Sequence, residues 1–162
     1  MDTIVSKKVT LSFTQKNIAT PEKVFPLLCP VREKDWLDGW EYKMIWSESG
    51  FAEEGCVFST PHHGKSETTW IVTKYDPINF QIEFVRFTPA ENVARIFINL
   101  EANGSGATDA FIKYEYTALN REQIEYLETG LQKDFQSSMH WWEKAINHYL
   151  ETGEKLLKSE DI

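Results

Sequence analysis

Between Val9 and Gln15 the chain alternates strictly, with Val9, Leu11 and Phe13 set against Thr10, Ser12 and Thr14. A period of two is what a strand with one buried face requires. Thr20-Pro21-Glu22 supplies an N-cap residue type, a proline for the first helical position and an acid for the first turn. A short helix is therefore predicted through Val24, Phe25, Leu27 and Leu28, stopping near Cys29-Pro30. A second short helix is predicted between Val31 and Trp40, ending at Gly39. From Tyr42 six β-rich runs follow, at 42–49, 55–62, 67–75, 79–88, 92–102 and 107–119. Their connections are short and rich in Gly, Pro, Asn and Asp, as in Asp76-Pro77-Ile78 and Asn103-Gly104-Ser105-Gly106. Such links join antiparallel neighbours, so the runs form a meander.

At Asn120 the period changes from two to 3.6, and Asn120 with Gln123 has capping-box spacing. Stepping about 100° per residue from Ile124, Leu127, Leu131, Phe135, Ser138, Trp142, Ile146, Tyr149, Gly153 and Leu156 fall on one stripe. His140 and Glu143 fall on the water side. An unbroken helix from Arg121 to Lys158 would be about 55 Å long, too long for a chain of this size to cover. A kink near Thr129-Gly130 and fraying after Gly153 are expected. A seven-stranded sheet with one solvated face needs a cover for the other, and only this last helix is long and apolar enough. The expected fold is α+β: a curved antiparallel sheet, two short helices after strand one, and a long C-terminal helix across the concave face.

The 162 residues are about one domain's worth and are read as a single unit, 1–162. The net charge of -8 is spread through the chain and argues against a nucleic-acid backbone or an anionic membrane as partner. No run approaches the roughly 20 apolar residues of a membrane span. The N-terminal MDTIVSKKVTLSF lacks an apolar core and a small-residue cleavage site, so a cytoplasmic location is expected. Cys29 and Cys56 stand far apart without metal-ligand spacing and are read as free, buried thiols. Six Trp, six Tyr and ten Phe are a heavy aromatic load for a domain this small; most must be core, and any surplus would line a pocket for an apolar ligand.

With these elements in order, the chain resembles the START-like helix-grip (SRPBCC) superfamily, in particular its polyketide cyclase/dehydrase-type branch. The resemblance rests on IATPEKVFPLL after the first strand, EKDWLDGW at the second helix, EEGCVFST opening a hairpin, TTWIVTKYDP within the meander, and WWEKAINHYLETGEKL in the last helix. These are fold motifs, and none is catalytic. The resemblance implies a cavity between sheet and helix, filled in such proteins by a lipid, polyketide or aromatic compound. Members bind, transport or cyclise, and some serve chaperone systems, so fold alone does not assign the activity.

Alternation lists the residues that face such a cavity. They are Ala94, Ile96, Ile98 and Leu100 on one strand, Ala110, Ile112, Tyr114 and Tyr116 on the next, and Phe80, Ile82, Phe84 and Arg86 on a third. An arginine closing an apolar row can receive a carboxylate or polarise a carbonyl; the other reading is a solvated rim residue. The hydroxyls of Tyr114 and Tyr116 need ligand, water or backbone partners. Ser138 leaves room on the helix stripe, either for a cavity or for close packing of the helix on the sheet. Trp36, Trp40, Trp46 and Trp70 are read either as core or as pocket wall. The candidate ligand-binding set is Trp36, Trp46, Phe58, Trp70, Phe84, Arg86, Ile98, Tyr114, Tyr116, Phe135, Ser138 and Trp142.

His62-His63 and His140 do not make a metal site, since adjacent strand residues point to opposite faces. No nucleophile elbow, phosphate loop or HExxH motif occurs, and no cofactor is expected. Three functions stay open: binding or transport of a small hydrophobic molecule, a pocket enzyme, and a partner-binding protein of the chaperone-activator kind. An acid facing the cavity beside Arg86 would favour the enzyme, an apolar lining the binder, and a large exposed apolar patch the partner role.

Overall fold

The structure, a computed structural model, describes residues 6–62 and 64–158; the first five residues of the N-terminal segment and His63 lie outside the described residues. The first strand, β1 (Lys8–Asn17), is followed by α1 (Pro21–Val24), a 3-10 turn (Phe25–Leu28) and α2 (Pro30–Trp36). The meander runs through β2 (Lys43–Trp46), β3 (Val57–His62), β4 (Lys65–Asp76), β5 (Gln81–Thr88), β6 (Asn92–Ala102) and β7 (Thr108–Ala118). Then come α3 (Arg121–Thr129) and α4 (Leu131–Thr152). All pairings are antiparallel, in the order β1-β7-β6-β5-β4-β3-β2. Register shifts at Met44/Trp46, Thr60/His62 and Val72/Lys74 bend the β2–β5 half of the sheet.

The alternation on β6 and β7 is as expected. Ala94, Ile96, Ile98, Leu100, Ala110 and Ile112 are all buried, while Arg95, Phe111 and Lys113 between them are exposed. The row on β5 begins one step later. Phe80 lies in the β4–β5 turn with φ 57, a left-handed value that a bulky residue rarely takes. Asp76 organises this turn by accepting from the Ile78 and Asn79 N–H groups, and the Phe80 ring packs edge-on against Phe25.

The long helix does break at Gly130, and its amide still bonds back to the Tyr126 carbonyl at 2.9 Å. The Asn120 side chain caps α3 by accepting from the Gln123 N–H at 2.9 Å. The Gln123 side chain does not complete the box; it accepts from Asn92 Nδ2 instead. Thr20, by contrast, makes no side-chain cap. α4 ends at Gly153, whose φ of 76 only glycine adopts without strain. The chain beyond it is not frayed. Leu156 bridges to Leu37, and the Lys158 N–H donates to Asp38 Oδ2 at 3.0 Å, so the tail is tied to the end of α2.

The apolar stripe continues across Gly130 into the longer helix. α4 buries Leu131, Phe135, Met139, Ala145 and Ile146, while Trp142 and Tyr149 are only partly covered and Ser138 is exposed along one side. His140 faces out, its ring edge against Phe13. Glu143 does not point simply to water: it accepts the Lys16 N–H at 2.8 Å. Asn147 both accepts from the Ile18 N–H and donates to the Lys16 carbonyl, so α4 is stitched to the free edge of β1.

Candidate functional site

Between α4, α2 and the inward rows of β3 to β7 lies a cavity of about 190 Å³. Its wall is mostly aromatic. Phe58 stacks on Trp70 at 5.4 Å between ring centroids, and Phe84 meets both edge-on. Ile96, Ile98 and Tyr114 form the floor, with Met139, Ser138 and Trp142 contributed by α4. Trp40 closes one side, its indole N–H held by the Pro30 carbonyl at 2.9 Å. The whole is smaller than the 300–1,000 Å³ of drug-sized clefts.

Arg86 turns inward. Its guanidinium carbon lies 5.3 Å from the Trp70 ring centroid, 5.8 Å from Tyr114 and 5.7 Å from Tyr116. Each such contact contributes about 0.5–2 kcal/mol, yet none satisfies an N–H. The Nε is buried without a hydrogen-bond partner, and no carboxylate among the described residues pairs with this guanidinium. Two further voids share this side chain. One, of about 160 Å³, lies beneath α4 and is walled by Tyr114, Tyr116, Tyr126 and Phe135. The other is a more open, polar cleft of about 420 Å³ reaching Thr68, Thr88, Asn92 and His62.

The second charged residue type in the cavity is Glu33, which the sequence reading passed over. It sits in the first turn of α2, 6% exposed, and no group among the described residues hydrogen-bonds its carboxyl. Burial pushes that carboxyl well above the usual carboxylate range, so it holds its proton where a surface glutamate has lost it. Burial likewise raises the Tyr114 hydroxyl; Arg86 opposes the shift, while Tyr116 and Glu33 add to it. A neutral acid and an unpaired cation thus face one largely apolar space.

Of the twelve candidate residues, Phe58, Trp70, Phe84, Arg86, Ile98, Tyr114, Ser138 and Trp142 line the cavity, and Tyr116 and Phe135 line the void beside it. Trp36 does not. It is fully buried one layer behind, donating its indole N–H to the Leu27 carbonyl at 2.8 Å and supporting Trp142 from 5.4 Å. Trp46 is misplaced by the sequence reading: it is 53% exposed on the edge strand β2, alongside Ile45 and Phe51. His62 pairs with Glu91, which Lys65 also reaches. Among the described residues no three His, Cys, Asp or Glu side chains converge as metal ligands, and no helix is long and apolar enough to cross a membrane.

No protein-family model matches the chain, and no curated protein sequence matches it. Solved structures do. The norcoclaurine synthase of Thalictrum flavum superposes with a TM-score of 0.67 at 12% identity, covering 91% of this chain and 88% of that one. The Zhui aromatase/cyclase of Streptomyces sp. R1128 gives 0.67 at 9% identity, over 93% and 100%. Ara h 8.0201 gives 0.61 at 14% identity, over 90% and 99%. At such identities the likeness is one of fold, and the fold is the START-like helix grip.

Proposed function

We propose that residues 1–162 act as one ligand-binding domain, whose cavity takes a small hydrophobic compound with an oxygen-bearing end set against Arg86. The observation that carries this reading is the arginine itself. A guanidinium ringed by Trp70, Tyr114 and Tyr116, with a buried N–H and no protein acceptor, is a costly arrangement unless something else supplies the acceptor. The cavity's modest volume favours a compact ring system or short chain over a sterol. One norcoclaurine synthase structure holds dopamine and hydroxybenzaldehyde, small aromatic molecules of that order of size. The test is titration with 8-anilinonaphthalene-1-sulfonate, followed by quenching of the cavity tryptophans. Saturable binding at about micromolar strength is expected. A native protein that leaves the probe free would remove the binding reading.

Glu33 favours a second reading, a pocket enzyme. A carboxyl that keeps its proton, set in one cavity with an arginine able to polarise a carbonyl, is the pairing that acid–base work on a carbonyl compound requires. Deuterium exchange at the carbon next to the carbonyl of 2-tetralone, followed by NMR, tests it. Exchange above the buffer rate that is lost in Glu33→Gln supports the enzyme, and exchange at the buffer rate leaves the binder.

A further inference from the structure

The polar cleft beyond Arg86 holds side chains that the binding reading leaves without a task. Asn92 is 7% exposed and lines the cleft. Its Nδ2 donates to Gln123 Oε1 at 3.2 Å, but its Oδ1 is buried with no donor. Thr68 and Thr88 are 4% and 5% exposed and line the same cleft, their hydroxyls 3.4 Å apart with only one proton shared between them. A buried acceptor left empty costs about 1–3 kcal/mol, so a fold that keeps one at a cleft wall bears that cost for whatever enters.

Topology links this cleft to the apolar cavity. Arg86 and Thr88 stand on the same face of β5, and their partners across the ladder are Ala94 and Asn92, so Arg86 and Asn92 are diagonal neighbours of the kind that lie about 7–8 Å apart. The void beneath α4 shares Arg86, Tyr114 and Met139 with the cavity, and Arg86, Tyr116 and Leu131 with the cleft. Three spaces meet at one guanidinium.

We propose that the cleft walled by Thr68, Thr88 and Asn92 is a second compartment of the ligand site, taking a hydroxyl that donates to Asn92 Oδ1 next to an anionic oxygen held by Arg86. The ligand class is a small apolar hydroxy acid: its ring or chain fills the cavity, its carboxylate lies on Arg86, and its hydroxyl enters the cleft. The inference rests on the cavity being a ligand site.

Three probes separate the two claims: 2-naphthylacetate, the same acid with a hydroxyl on the carbon next to the carboxylate, and the corresponding methyl ether. Calorimetric titration should show 2-naphthylacetate binding and one enantiomer of the hydroxy acid binding about two- to tenfold tighter, the worth of one added hydrogen bond. The ether, which accepts but cannot donate, should lose that gain. Asn92→Leu should abolish the preference for the hydroxy acid over 2-naphthylacetate, while Asn92→Asp, which keeps an acceptor, should retain it. The Asn92 side-chain amide resonances in wild-type protein should move with the hydroxy acid alone, a readout that holds even if the leucine variant does not fold. If none of the three acids binds, the ligand-site reading itself falls. If 2-naphthylacetate binds and the hydroxyl adds nothing, or the ether matches the alcohol, the second compartment is refuted. Equal weakening of every probe by Asn92→Leu would likewise reduce Asn92 to a support for Gln123.

Discussion

Glu33→Gln preserves the size and shape of a buried side chain and removes its titration, so it isolates the cost of keeping a carboxyl in the cavity. The sign follows from linkage. The folded value is raised above the unfolded one, so below the unfolded value the group is protonated in both states and contributes no slope. As pH rises above about 4.3 the unfolded chain releases the proton while the native protein keeps it, and stability is lost until the folded value is passed. Within that window the loss is up to about 1.4 kcal/mol per pH unit. For a chain of this size that is about 3–5 °C of Tm per unit. Urea unfolding, read by tryptophan fluorescence between about pH 5 and pH 7, is the assay. In that range Glu53, held down to about 2 by its bonds to Ser49 and Ser47, stays ionised in both proteins. So do Asp76, Glu91 and Asp109, each lowered by its hydrogen-bonding neighbours, and their contributions cancel. Relative to the glutamine variant, the wild type should lose ground steadily as pH rises. A pH-independent gap would mean that Glu33 is ionised when folded, and the description of a dry, proton-holding cavity would be wrong.

Arg86→Met should weaken an anionic probe such as 2-naphthylacetate about ten- to a hundredfold while a neutral analogue changes little, as read by calorimetric titration. Equal responses would show that the arginine only packs. Trp36→Phe strips the donor from the Leu27 carbonyl and opens space behind Trp142; about 2–3 kcal/mol of stability should be lost in urea unfolding. Trp46→Ser, at an exposed edge position, should change stability by no more than about 0.5 kcal/mol and leave probe affinity intact. A loss of binding there would return Trp46 to the site.

The strand rows were legible because alternation is a local signal, and Ala94, Ile96, Ile98 and Leu100 of β6 and Ala110, Ile112 and Tyr116 of β7 are buried as it requires. Trp46 shows where that signal ends: period two says which residues share a face, but not whether the strand is central or at an edge, and β2 pairs on one side only. Glu33 was unreadable for a different reason. A lone acid in the first turn of a short helix looks like a solvated charge that favours the helix dipole. Its burial comes from the packing of α2 over the sheet and against α4, which no pattern within α2 records. Met139 lies about 60° from Ile124, at the margin of the stripe, and its place in the cavity wall comes from how α4 packs on the sheet, which periodicity alone does not record.

The pairing of β1 with β7 sets Lys8 opposite Thr117 and Asn17 opposite Thr108, contacts separated by most of the polypeptide. During synthesis β1 therefore cannot join β7 until roughly a hundred further residues have been made. Its outer edge waits longer, for Glu143 and Asn147 of the final helix. A topology so rich in distant contacts belongs to the slower-folding domains, on the scale of milliseconds to seconds. The hairpins of β2 to β6 are local enough to form first, and the apolar side of β1 is the surface most exposed to misassociation until β7 arrives.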